Sequence, residues 1–110
     1  MTLRFRKINR DIFDAIESGK KKVETRAATT KYLKIHAGDI ATFVCDKERF
    51  SKKIARVKVF KTVRGMLKKY KPKEINPKAK TSKDLLKIYY SFPGYKEKIK
   101  KYGIVAMELV

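Results

Sequence analysis

The sequence predicts a small α+β domain, mostly β, curled into a barrel of about five to six strands with two to four short helices at its edge. Three observations predict it. The 110 residues suffice for one domain whose single core needs no disulfide or metal. Alternating or continuous apolar stretches recur at irregular spacing and read as strands. Helical stretches fall between some of them without regular βα alternation, and no repeat or boundary divides residues 1–110.

Leu3 and Phe5 alternate with Arg4 and Arg6 as a short half-buried strand. Asn9 is placed to cap a helix with Ile12, Phe13 and Ile16 on one face and Asp11 near its positive end. Gly19 is placed to end that helix in a left-handed conformation, and Lys22 to Arg26 read as the next strand. Ala27 to Ala37 has no clear period and reads as a loop leading to a Gly38-Asp39 turn. The strand Ile40 to Cys45 follows, then a polar connection, Asp46 to Ser51. Ala55, Val57 and Val59 alternate with Arg56 and Lys58, and a phase slip beyond Val59 suggests a bulge or barrel bend. Gly65 to Tyr70 reads as a turn or two of helix. Lys71 to Lys80, with Pro72 and Pro77, reads as the least structured part. Thr81 or Ser82 caps a helix carrying Leu85, Ile88 and Phe92, stopped by Pro93-Gly94. A second helix puts Tyr95, Ile99 and Tyr102 on a buried face and stops at Gly103. Ile104 to Val110 closes the chain as a strand with Val105, Met107 and Leu109 on one face.

Charge narrows the partners. Thirty basic residues against 11 acidic ones give +19, and residues 51–110 alone carry 18 basic and 4 acidic side chains. Such a field favours polyanions, chiefly RNA or DNA, through phosphate neutralisation. Lysines outnumber arginines 23 to 7, which favours phosphate contact over reading of base edges. The competing explanation is a lysine-rich surface of a heat-adapted protein. Two asparagines, Asn9 and Asn76, and no glutamine fit such a source, but glutamate is scarce for it. Cys45 has no partner and with the lone His36 makes no metal set, so neither metal nor cofactor is expected. No signal peptide or apolar run of spanning length stands out, so a soluble, cytoplasmic, monomeric protein is expected.

One stretch departs from lysine against apolar residues: "GKKKVETR", Gly19 to Arg26. With Gly19, Lys21, Glu24 and Arg26 at a helix end and strand start, it resembles the G-x-K-x-x-E-x-R signature of ASCH domains. Gly38-Asp39 before an apolar strand, the long strand "KKIARVKVFKTV", and the ending "YYSFPGYKEKIKKYGIVAMEL" are similar to that family in the same order. The resemblance implies a PUA-like β-barrel with a cleft, lined by the first helix and the motif strand, that takes RNA or a nucleotide. It also implies an alternative. Some members are amidohydrolases acting on acetylated cytidine, and ribonuclease activity is attributed to others. In the amidohydrolase branch the lysine at the position of Lys21 works with a threonine, where this chain carries Glu24, and with a later glutamate, for which Glu74 is the candidate.

The residues themselves support two chemistries. In an extended strand Lys22, Glu24 and Arg26 share a face, and Lys21 joins them only if the strand begins after it. A carboxylate between two cations stays ionised and holds both, leaving Arg26 to present its fork and Lys21 its point charge to a phosphate. Alternatively Glu24 acts as a general base on water with Lys21 stabilising the developing charge. Without the resemblance an ordinary strand ion pair explains the same residues more plainly; with it, a pocket role is favoured. The candidate ligand- or RNA-binding residues are therefore Lys21, Glu24, Arg26 and Lys22, with Tyr90 as an exposed stacking platform and Arg56 and Lys58 as a basic stripe. Lys21 and Glu24 are the candidates if the protein is a hydrolase.

Overall fold

The computed structural model describes all 110 residues, Met1 to Val110. Five strands form one curled half-barrel sheet: β1 (Thr2–Phe5), β2 (Val23–Ala27), β3 (Ile40–Cys45), β4 (Glu48–Phe60) and β5 (Ile104–Leu109). Their order is β1-β3-β4-β5-β2, so the two edge strands are the first two in sequence. β1 and β3 run parallel, and the other pairs are antiparallel. Six α-helices accompany them: α1 (Arg10–Glu17), α2 (Thr30–Leu33), α3 (Val63–Met66), α4 (Pro72–Ile75), α5 (Ser82–Ser91) and α6 (Tyr95–Tyr102). That exceeds the two to four expected, because three are single turns of four residues.

β5 explains how so small a chain buries two faces. Val105, Met107 and Leu109 pack with Phe13 and Ile16 of α1 and with Phe43 of β3. Ile104 and Ala106 point the other way, into a second cluster built by Met66, Ile75, Leu85, Tyr89 and Ile99 of the later helices. A strand covered on both faces reads as a continuous apolar run, and Ile104 to Met107 does, before Glu108 interrupts it. Gly103 makes its entry possible: φ is +83°, and a Cβ there would stand 2.4 Å from the Phe60 carbonyl oxygen.

Several expectations are corrected. The segment 27–37 contains the helical turn α2, and the polar connection after Cys45 shrinks to Asp46-Lys47 because β4 starts at Glu48. The register shift lies between Ile54 and Arg56, not beyond Val59, and pairing with β5 continues to Phe60. Residues 71–80 are anchored rather than loose. Pro72 starts α4, Glu74 accepts a hydrogen bond from the Lys71 N–H, and Ile75, Asn76 and Ala79 are buried. Asn9 precedes α1 without a side-chain cap bond; the Asp11 carboxylate instead accepts from the Ile12 N–H. Tyr102 is 44% exposed, not buried, and stands beside Lys101.

Candidate functional site

The site begins with the end of α1. Gly19 takes φ +84°, which reverses the chain and lets the Lys21 N–H return to the Ala15 carbonyl at 2.9 Å. β2 then begins only at Val23, so Lys21 lies in the turn and its side chain runs inward, with 2% of it exposed. Lys22 stays on the surface. Along β2 the residues alternate. Val23 and Ala27 belong to the cluster under the later helices, and the Thr25 hydroxyl bonds the Tyr89 phenol at 2.5 Å. Glu24 and Arg26 project to the opposite face, opposite Met107 and Val105 of β5.

Glu24 lies between two cations. Its Oε1 is 3.2 Å from the Lys21 ammonium, and its Oε2 accepts from Arg26 Nε at 3.2 Å and Nη2 at 3.1 Å. Oε1 also accepts from the Thr25 N–H. Lys21 donates as well to the Val23 and Ile75 carbonyls, so its three protons have three acceptors. Burial pushes the Glu24 carboxyl up, but the charges of Lys21 and Arg26 outweigh it and hold the group below its ordinary value. Burial draws the Lys21 ammonium down against the attraction of Glu24. Three acceptors around one nitrogen match the charged form. Burial likewise opposes the Arg26 charge, and Glu24 more than restores it. This is a buried ion-pair network with its polar atoms satisfied.

Arg26 has a second role. Its guanidinium carbon lies 4.9 Å from the centroid of the Phe5 ring on β1 and 6.0 Å from that of Tyr32. β1 and β2 are the unpaired edges of the sheet, so this stacking, not a strand ladder, spans the open seam of the half-barrel. Glu24 occupies two of the five guanidinium N–H groups, which leaves three for a ligand.

A cavity of about 310 Å³ opens at the seam, at the small end of the range for small-molecule sites. Lys21, Glu24 and Arg26 line it together with Arg4 of β1, Arg6 just beyond that strand and Lys98 of α6, so five cations surround one acid. Phe5, Ile12, Ile88 and Phe92 supply apolar wall. The single carboxylate is already claimed by two cations, so the lining suits an anionic or hydrogen-bonding ligand rather than a metal ion.

Arg4, Arg6 and Lys98 are not among the residues the sequence singles out for the site, and neither are three further polar residues of the lining. The Tyr95 phenol oxygen accepts from the Ala27 N–H at 3.0 Å, leaving its own proton free, and burial raises its pKa. The Asn76 Oδ1 accepts from the Lys78 N–H at 2.9 Å, leaving its amide N–H groups for the cavity. Asn9 lines the same space, so the only two asparagines of a chain without glutamine meet here. Tyr90, Arg56 and Lys58 are exposed and lie outside the lining; Arg56 stands 4.0 Å from Glu108. Glu74 is also outside, engaged as the cap of α4.

No protein-family model matches this chain, nor does any curated protein. Solved structures do. The crystal structure of hypothetical protein PH0355 superposes with a TM-score of 0.82 at 29% identity, covering 99% of this chain and 97% of that one. The solution structure of protein PF0455 from Pyrococcus furiosus superposes at 0.73 and 26% identity, covering 99% and 96%. The chain thus shares its whole curled half-barrel with archaeal proteins of unassigned function, a fold consistent with the PUA-like class.

Proposed function

We propose that this chain is an ASCH-like, PUA-related domain that binds RNA or a nucleotide in the seam cavity, with Arg26 as the principal anion-binding side chain. The observation that carries the reading is the saturation of Glu24. Both its oxygens hold donors and its pKa is depressed, so it positions Arg26 and has no capacity left to accept a proton from water at neutral pH. Lys21 is spent in the same way, holding β2, α4 and Glu24 together. What remains free is one edge of Arg26, the cations Arg4, Arg6 and Lys98, the Tyr95 hydroxyl and the Asn76 amide around an apolar wall. Those groups suit a phosphate joined to a base. The hydrolase alternative has Glu24 where those relatives carry a threonine, and the Thr25 hydroxyl, which also lines the cavity, is already bonded to the Tyr89 phenol.

The test is binding of labelled single-stranded RNA and of nucleoside monophosphates, with acetylated cytidine and RNA assayed for turnover in parallel. Affinity should fall with salt, and Arg26→Ala should weaken it about tenfold or more, as expected for a lost charge-assisted pair. Turnover of either substrate would replace the binding reading with the hydrolase one. Absence of affinity even at low salt would return the charge to the heat-adapted surface.

A further inference from the structure

The cavity draws only Lys98 from the largest concentration of charge on the molecule. Between Lys68 and Lys101 the chain carries 12 lysines, no arginine and three acids, Glu74, Asp84 and Glu97. Each acid sits in the first turn of a helix, α4, α5 and α6 respectively, where it faces the positive end of the helix. Asp84 accepts from the Lys80 and Thr81 N–H groups as well. Of the 12 lysines, Lys78 alone reaches a carboxylate, that of Asp11.

The unpaired lysines are not scattered at random. On α5, Lys83, Lys87 and Tyr90 follow at i, i+4 and i+7, so they lie along one stripe, and all three are exposed. On α6, Lys96 and Lys100 do the same. The two stripes meet, because the Lys96 ammonium lies 5.3 Å from the centroid of the Tyr90 ring. The result is a strip of four lysines across two packed helices with an aromatic ring, 47% exposed, at its middle. Lysine ammoniums spaced along two helices suit a flexible chain of phosphates. A ring exposed among them adds a stacking face, which a duplex with its bases already stacked cannot use.

We infer that Lys83, Lys87, Tyr90, Lys96 and Lys100 form a second, external contact surface for single-stranded RNA, separate from the seam cavity. The strip binds the backbone without reading sequence, and Tyr90 stacks a base. It stands whether or not the cavity takes a nucleotide.

The test uses the whole chain, a labelled single-stranded RNA of about a dozen nucleotides, the matching duplex, and inorganic polyphosphate. Replacing the four lysines by glutamine should make the dependence of log affinity on log salt shallower by roughly two to three, since each single-strand phosphate contact contributes about 0.7. Tyr90→Ala should weaken single-strand binding about tenfold and leave duplex binding unchanged. All five positions are exposed, so an unchanged thermal unfolding midpoint serves as the folding control. Binding of a nucleoside monophosphate, too short to span the strip, reports the cavity alone and should survive these variants while failing in Arg26→Ala. That split separates failure of the strip from failure of the cavity. An unchanged salt slope in the lysine variant would overturn the inference and leave a solvated lysine face. Polyphosphate binding as tight as RNA binding, with no effect of Tyr90→Ala, would overturn it in favour of a generic polyanion surface.

Discussion

Lys21 and Lys96 are the same side chain used in opposite ways. Lys21 lies at the seam with its three protons claimed by Val23, Ile75 and Glu24. Lys96 lies on the helical surface, against a tyrosine ring, with no carboxylate in reach. The contrast extends to their neighbourhoods: at the seam each buried charge has a partner, and on α5 and α6 the charge is left unbalanced. Burial accounts for the difference. A charge removed from water is tolerated only when paired and hydrogen-bonded, so it becomes a structural joint. A charge left in water costs nothing to keep unpaired, and its field reaches outward to attract a polyanion. Lysine in this chain therefore positions at the seam and attracts on the surface.

The sharpest way to break that comparison is Glu24→Gln. The amide keeps the size of the side chain but leaves Lys21 buried without its counter-charge, which should cost about 3–5 kcal/mol of folding stability. Urea unfolding measures it. Adding Lys21→Met should recover part of the loss, because the double variant no longer buries an unpaired ammonium. If Glu24→Gln unfolds at the wild-type midpoint, the seam charges are not coupled and the joint does not exist.

Acid removes the same charge more gently. Glu24 has its pKa held below the ordinary value by Lys21 and Arg26 against the effect of burial. A depressed carboxyl contributes stability that is complete above the unfolded pKa, about 4.3 for glutamate. That contribution is lost as pH falls through the lower folded value. Wild-type stability should therefore decline as pH drops below about 4, and Glu24→Gln, with no proton to take up there, should decline less steeply. Equal slopes in the two proteins would assign the acid sensitivity to other carboxylates.

Much of this seam was legible in the sequence, for local reasons. Gly19 after an amphipathic helix signals a reversal, and a reversal there turns Lys21 toward Glu24 and Arg26 rather than away. Strands β3 and β5 and helices α1, α5 and α6 followed from period and punctuation. What was missed depends on contacts distant in sequence. The Ile75 carbonyl reaches Lys21 because α4 packs on β2, although two prolines and five charged residues among ten make that segment read as a loop. The bulge was misplaced because Ala55, Val57 and Val59 alternate smoothly in sequence, while the register shift occurs where Ile54 is buried and Ala55 exposed. A compositional signal for the cavity was present and read differently. The absence of glutamine makes Asn9 and Asn76 rare, and both face the cavity.

Tyr95 offers the smallest effect and a test of how far the rule of partnered interior groups extends to neutral atoms. β2 is an edge strand, and its Ala27 N–H, which would otherwise lack a ladder partner, donates to the Tyr95 phenol oxygen. Tyr95→Phe keeps the ring packed against Tyr89 and Phe92 and removes only that acceptor. The stranded N–H should cost about 1–3 kcal/mol, and nucleotide affinity should fall a few-fold through the lost hydroxyl donor. Tyr102→Phe on the same helix is the matched control: its ring is 44% exposed, water serves its hydroxyl, and neither quantity should change. If the two variants behave alike, water reaches the Ala27 N–H as well, and the seam is wetter than its buried charges imply. A loss confined to Tyr95→Phe would mean that neutral groups at the seam need partners as its charges do.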